Sequence, residues 1–169
     1  MAISTIGQNG LQQSRILTAV QQPAGAVLQV VQAYKNDVFS TSSASLVDVT
    51  GLSLSITPSS TSSKILLMVS VDVGSAGDAI VQLLRNGTAI TNGTAGTVVN
   101  GFGQCAGSYV NQIFSLVNNY LDSPASSSAI TYKVQIVVNG GGATAYVNRR
   151  SVNDSFGAVS SIIAMEIAA

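Results

Sequence analysis

The sequence predicts an all-β fold, an antiparallel β-sandwich of the jelly-roll kind, and three observations carry that expectation. Apolar and polar residues alternate with a period of two through most of the chain, as they do in strands with one face on a core. Val, Ile and Thr, which suit a pleated surface, dominate those runs. Turn-forming sequences punctuate them at short intervals. The chain has 169 residues, of which 46% are hydrophobic, enough for one domain with a single core.

Residues 1–26 are polar, rich in Gln and aperiodic, and they end at Pro23-Ala24-Gly25. They are expected to form an extended arm, with a short helix over residues 11–20 as the weaker alternative and a disordered terminus as the plain one. Residues 27–169 are expected to form the sandwich. Strands are predicted at 27–34, 45–49, 52–57, 64–73, 79–85, 97–102, 108–121, 130–138, 143–148 and 159–167. Leu52, Leu54 and Ile56 alternate with Ser53, Ser55 and Thr57, and residues 57–63 then form a Ser/Thr turn around Pro58. Ile65, Leu67, Val69, Val71 and Val73 define the next inward face. Asn86-Gly87 fits a tight hairpin because both residues tolerate positive φ, and Asn92-Gly93 repeats the signal. Asp122-Ser123-Pro124 closes a long segment, with Asp122 read as a turn residue. Ile130, Tyr132, Val134, Ile136 and Val138 alternate with Thr131, Lys133, Gln135 and Val137, and Asn139-Gly140-Gly141-Gly142 makes a hairpin loop.

Two strands are apolar on both faces. Leu66 and Met68 oppose Ile65, Leu67 and Val69, whereas Ile162 and Ala164 oppose Ile163, Met165 and Ile167. A monomeric two-layer sandwich would carry polar residues on its outer face. Either a loop covers these strands on their outer side, or Leu66, Met68 and Ile162 are candidates for a contact between subunits, a reading the near-absence of charge favours.

Composition narrows the chemistry. Charged residues are only 8% of the chain, against about 25% in an ordinary soluble domain, and seven basic residues balance seven acidic ones. Neutral polar groups do the solvating, with 24 Ser, 12 Thr, 11 Asn and 11 Gln. The scattered basic residues argue against nucleic-acid binding. No apolar run approaches the roughly 20 residues of a membrane span, and no signal peptide is read at the N-terminus. The absence of His removes imidazole metal sites and histidine-based nucleophile activation. Cys105 is the only thiol and is read as a packing residue. Residues 140–142 lack the Lys-Ser/Thr and the helix of a phosphate loop, and the acids form no motif. No catalytic, cofactor-binding or metal-binding residue is assigned, and the chain is expected not to be an enzyme. Arg149-Arg150, with Asp154 close behind, marks a candidate exposed contact loop, either a solvated segment with a weak ion pair or a contact for an acidic glycan or a neighbouring subunit.

Several phrases resemble a module of tailed-bacteriophage virion proteins. They are Pro23-Ala24-Gly25-Ala26-Val27-Leu28-Gln29-Val30-Val31-Gln32, Asp48-Val49-Thr50-Gly51-Leu52-Ser53-Leu54-Ser55-Ile56-Thr57-Pro58 and Ser62-Ser63-Lys64-Ile65-Leu66. Leu121-Asp122-Ser123-Pro124, Thr131-Tyr132-Lys133-Val134-Gln135, Tyr146-Val147-Asn148-Arg149 and Met165-Glu166-Ile167-Ala168 extend the likeness over residues 23–169. The resemblance implies a homotrimeric knob in the virion. It implies a cement or decoration protein on the outer capsid surface, holding the major capsid protein through its N-terminal arm. The alternative is the tip of a tail fibre or tailspike, an adhesin for host surface glycans. The chain departs from a typical fibre in carrying no heptads, collagen-like repeat or β-helical repeat, which favours the cement reading.

Overall fold

The computed structural model describes residues 22–91, 93, 94 and 99–169. Among them are β1 (Val27–Lys35), β2 (Phe39–Thr41), β3 (Val47–Ile56), β4 (Lys64–Ser75), β5 (Asp78–Arg85) and β6 (Thr88–Ala89). The remaining strands are β7 (Gly103–Cys105), β8 (Phe114–Asp122), β9 (Ile130–Asn139), β10 (Ala145–Val147) and β11 (Ser160–Ile167). The helix considered over residues 11–20, and nearly all of the expected arm, lie outside the described residues.

Every pairing is antiparallel. One sheet runs β1-β11-β4-β8. β10 and β2 extend it beside the end of β4, because Val73 pairs with Phe114 of β8 on one side and Val147 of β10 on the other. The second sheet runs β3-β9-β5, with β7 and β6 sharing the far edge of β5. Four long strands thus form one layer and three the other, whose fourth position is shared by the short β6 and β7, and most connections cross between the layers. This is the jelly-roll arrangement, which leaves both faces of the sandwich accessible.

The alternation of the sequence becomes the core. Ile65, Leu67, Val69, Val71 and Val73 of β4, with Ile162 and Ala164 of β11, face Val81, Leu83, Tyr132, Val134 and Ile136 of the other sheet, all buried. Cys105 is buried in the same core, where burial raises its thiol pKa. Asn86 and Gly87 have φ of 48° and 87°, so the expected two-residue hairpin turn joins β5 to β6.

Local departures from the predicted strands have physical causes. The two strands expected at 45–49 and 52–57 are one strand, β3, with a register break between Asp48 and Ser53 where Gly51 adopts φ +88°. β8 begins at Phe114 rather than 108, since the preceding residues form a loop closed by a bond from the Gln112 amide to the Tyr109 carbonyl. The strand predicted at 97–102 lies partly outside the described residues. Residues 99–102 are irregular, and β7 supplies the ladder with β5. At the arm boundary, Gly25 and Ala26 already exchange hydrogen bonds with Ala168.

Candidate functional site

The outer face of the β1-β11-β4-β8 sheet can be assembled from its registers. Val30, Met165, Leu66 and Leu121 lie side by side across the four strands. The next row is Gln32, Ile163, Met68 and Asn119, and the third is Tyr34, Ser161, Ser70 and Val117. These three rows contain no charge. Val30 is 56% exposed, Met68 40%, Val117 58% and Leu121 48%. With strands about 4.8 Å apart and rows about 6.8 Å apart, the field measures roughly 300–400 Å².

The opposite sheet has a different outer face. Lys133 Nζ lies 2.7 Å from Asp48 Oδ2, and Gln135 Nε2 donates to Asp48 Oδ1 at 2.7 Å. Gln82 Nε2 donates to Gln135 Oε1 at 3.1 Å, and the Ser55 and Thr131 hydroxyls are hydrogen-bonded at 2.9 Å. The Lys133 and Gln135 hydrogen bonds hold the Asp48 carboxyl below its ordinary pKa. This is a solvated face, satisfied by its own polar groups. One side of the sandwich is therefore finished for water and the other is not.

Two loops border the apolar field near Gly74 of β4. A Cβ on Gly74 would lie 2.5 Å from the Arg149 carbonyl oxygen and 2.7 Å from Arg150 Cα, so the loop crosses that sheet with only a hydrogen's room. The Val152 amide bonds the Val110 carbonyl at 3.2 Å, tying the β10–β11 loop to the loop before β8. Together these loops expose Tyr109, Val110, Val152 and Phe156.

Of the three residues expected at the contact, Leu66 and Met68 lie in the outer field, Leu66 half-buried. Ile162 does not. It pairs with Val69, points into the sandwich and is fully buried, while its neighbours Ile163 and Met165 take the outward positions. The weak ion pair considered for Asp154 is also replaced. Asp154 is exposed, and among the described residues neither arginine pairs with it. The Arg149 guanidinium sits 3.9 Å from the Tyr146 ring centroid and that of Arg150 4.4 Å from the Phe156 centroid, with Arg150 Nε donating to Asn153 Oδ1 at 2.6 Å.

Two buried carboxylates escaped the sequence reading. Asp122 and Glu166 flank Ile65 on the inner face of the same sheet, each paired with it in register. Asp122 is not a turn residue. It accepts from Arg85 Nη1 at 2.7 Å and from the Tyr132 hydroxyl at 2.6 Å, which ties the two sheets together. Burial, reinforced by the Asp122 carboxylate, raises the Tyr132 phenol pKa and keeps it a donor. Glu166 accepts from the Ser59 amide at 2.7 Å, the Ser59 hydroxyl at 2.6 Å and Gln29 Nε2 at 2.5 Å. Burial opposes its charge, but the hydrogen bonds from Ser59, Gln29 and Ser63 outweigh that and hold its carboxyl below the ordinary value. At the other end, Asn148 Nδ2 donates to the carbonyls of Lys35 and Asp37, both at 2.9 Å, and its oxygen accepts from Ser160 Oγ at 2.6 Å. These groups pin the scaffold beneath the apolar field.

No family model matches the sequence, and no curated protein matches it. Among solved structures, the chain is similar to that of infectious bursal disease virus, Gx strain, at 15% identity and a TM-score of 0.41, over 87% of this chain and 38% of that one. A VP2 subviral particle of the same virus gives 17% identity and a TM-score of 0.37, over 85% and 38%. A mutant VP2 in derived T=1 particles gives 14% and 0.41, over 83% and 36%. The chain spans less than two fifths of the length of these solved chains.

Proposed function

We propose that this chain is a non-enzymatic structural protein of a virus particle, a homotrimeric cement or decoration protein on the outer surface of a phage capsid. The observation that carries the reading is the difference between the two outer faces: one polar and internally satisfied, the other apolar and uncharged across four strands. The jelly roll also serves lectins and cupins, so the fold is compatible with the reading without selecting it. The phrases that resemble phage virion modules support assigning it to the particle.

The magnitude sets the form of the contact. A field of roughly 300–400 Å² is about half of the ~800 Å² per partner in a standard interface. The trimer must therefore also use the bordering loops with Tyr109, Val152 and Phe156. Cementing follows by mass action, because a ligand that binds only the assembled shell stabilises that shell. Arm contacts to the major capsid protein, through residues 1–26, would add to the knob's own footprint.

A second reading, the tip of a tail fibre or spike binding host glycans, is favoured by one feature. Arg149 and Arg150 are stacked on aromatic rings beside the exposed Phe156, a rigid and polar-edged contact surface.

The decisive experiment for assembly is light scattering on the full chain at micromolar concentration, beside Met68→Lys. An assembly in threes that the variant reduces to species smaller than a trimer supports the reading, and a monomeric wild-type chain refutes it. Copy number in purified particles by quantitative mass spectrometry then separates the roles. Hundreds of copies support cement, and a few tens or fewer support the fibre tip.

A further inference from the structure

Each sheet of an open sandwich has edges, and an edge strand offers unpaired amides and carbonyls to any extended chain that reaches it. Proteins blunt such edges with short strands, bulges, prolines or outward charges. In the second sheet, β6 and β7 have two and three residues, and β3 is broken at Gly51. β1 carries a register shift near its start, between Val27 and Gln29.

β8 has none of these devices. It runs for nine residues, FSLVNNYLD, without Pro or Lys, and among the described residues it pairs with β4 alone. Its register with β4 is unbroken from Phe114 to Asp122. Its outward side chains are Ser115, Val117, Asn119 and Leu121, all exposed, and its one charge, Asp122, is turned inward onto Arg85 and Tyr132. The strand is unbroken in register, uncharged in its outward side chains and long enough to add another strand.

We infer that the β8 edge pairs with the β8 edge of a second copy, antiparallel and about a two-fold axis at Asn119. The sequence of the strand selects this occupant. An antiparallel pair must oppose outward residues to outward residues, or every side chain changes face. With Asn119 opposite Asn119, Val117 faces Leu121 of the second copy and Leu121 faces Val117, so both flanking pairs are apolar. Centring on Val117 would set Ser115 against Asn119, and centring on Leu121 would set Asn119 against Ser123. Within the paired length of β8, Phe114–Asp122, only the Asn119 register places two apolar cross-strand pairs on the outer face, of the kind that stabilises sheets. The carboxamide of Asn119, which has no hydrogen-bond partner among the described residues, can meet its own copy across the axis, since an amide both donates and accepts. The product is a continuous sheet of twice the width, and the apolar field runs across it.

This contact is separate from the proposed trimer. An antiparallel self-pairing is isologous and closes at two, whereas a three-fold contact is heterologous. A chain with both would link trimers to one another across its surface.

The test uses cysteine placement in the full chain, where Cys105 is buried and does not interfere. Directly opposed antiparallel residues have Cα atoms about 4.5–5.5 Å apart, within the span of about 4.4–6.8 Å that a disulfide bridges. Asn119→Cys is expected to give a covalent dimer under mild oxidation. Ser115→Cys, equally exposed on the same strand, faces Ser123 in this register and is expected to form no covalent dimer. Adding Val117→Lys to Asn119→Cys is expected to abolish the dimer. Adding Met68→Lys instead, which is aimed at the trimer, is expected to leave it. Circular dichroism confirms that each variant is folded. If Asn119→Cys forms no covalent dimer, or cross-links no faster than Ser115→Cys, the two-fold edge pairing is wrong whatever becomes of the trimer. A covalent dimer of Asn119→Cys that survives the addition of Val117→Lys overturns it equally.

Discussion

Replacing Asp122 by Ala should be among the most damaging single changes in this chain, because Asp122 is where the two sheets are joined by charge. Its carboxylate comes from the end of β8, while Arg85 and Tyr132, directly opposed in register on β5 and β9, come from the other sheet. Removing the carboxylate leaves the Tyr132 hydroxyl, which is fully buried, without an acceptor, at a cost of about 1–3 kcal/mol. Breaking a fully buried ion pair costs about 3–5 kcal/mol, but the Arg85 side chain is 32% exposed and can turn to water. The sum therefore settles near 3 kcal/mol, which for a domain of this size lowers Tm by about 6–12 °C. Tyr132→Phe should cost less, about 1–2 kcal/mol. In the double variant the penalties should fall short of additive by about 1–2 kcal/mol, since each change removes the same hydrogen bond. Urea unfolding of the four chains measures this cycle. A value for Asp122→Ala within about 0.5 kcal/mol of wild type, the range of surface substitutions, or a coupling near zero, would refute the cross-sheet tie.

Two further outcomes are expected. Stability should decline below about pH 4.3, the unfolded glutamate value. Glu166 has a depressed folded pKa, so its contribution is present above the unfolded value and is lost as pH falls through the folded one. Asp48, lowered by Lys133 and Gln135, adds to the same slope, and Glu166→Gln should flatten it in urea midpoints taken from pH 6 to pH 3. A variant with the wild-type acid slope would contradict this. Gly74→Ala should destabilise by about 1–3 kcal/mol through overpacking, because the added methyl meets backbone atoms of residues 149–151, and trypsin should then cut at Arg149 or Arg150 faster than in the wild type. Unchanged cleavage would mean that the loop does not rest on β4.

Much of the fold was legible because burial on one face imposes a period of two, and the runs at Ile65–Val73 and Ile130–Val138 have little else to be. The Asn86-Gly87 turn was legible for an equally local reason, as two residues that accept positive φ stand between apolar runs. β3 was split in two because Gly51 interrupts the alternation, and a bulge and a chain break look alike in sequence. β2, of three residues, is held by pairing with β10, a contact more than a hundred positions away that no local pattern records.

The candidate site was legible in its chemistry but not in its parity. In β11 the residues at 162, 164 and 166 share one face and those at 161, 163, 165 and 167 the other. Both faces are apolar, and an ordinary preference sends the only Glu of the chain to water, carrying Ile162 outward with it. The structure takes the opposite choice because Ser59, Ser63 and Gln29 wait inside to satisfy the carboxylate. β8 repeats the inversion: Asp122 is turned inward to Arg85 and Tyr132, and Val117 and Leu121 are turned outward. Holding a carboxylate inside and an aliphatic chain outside, twice in one sheet, is costly for an isolated subunit and sensible for a sheet whose outer face meets protein. Hydrogen-bonded carboxylates within the sandwich leave the three central rows of that face free of charge, with Lys64 and Asp72 of β4 lying beyond them, and burying an unpaired charge among those rows would oppose association by several kcal/mol. The polarity of the opposite sheet, with Asp48, Lys133, Gln135 and Gln82 linked in one hydrogen-bonded chain, shows the arrangement this protein uses where water is the neighbour.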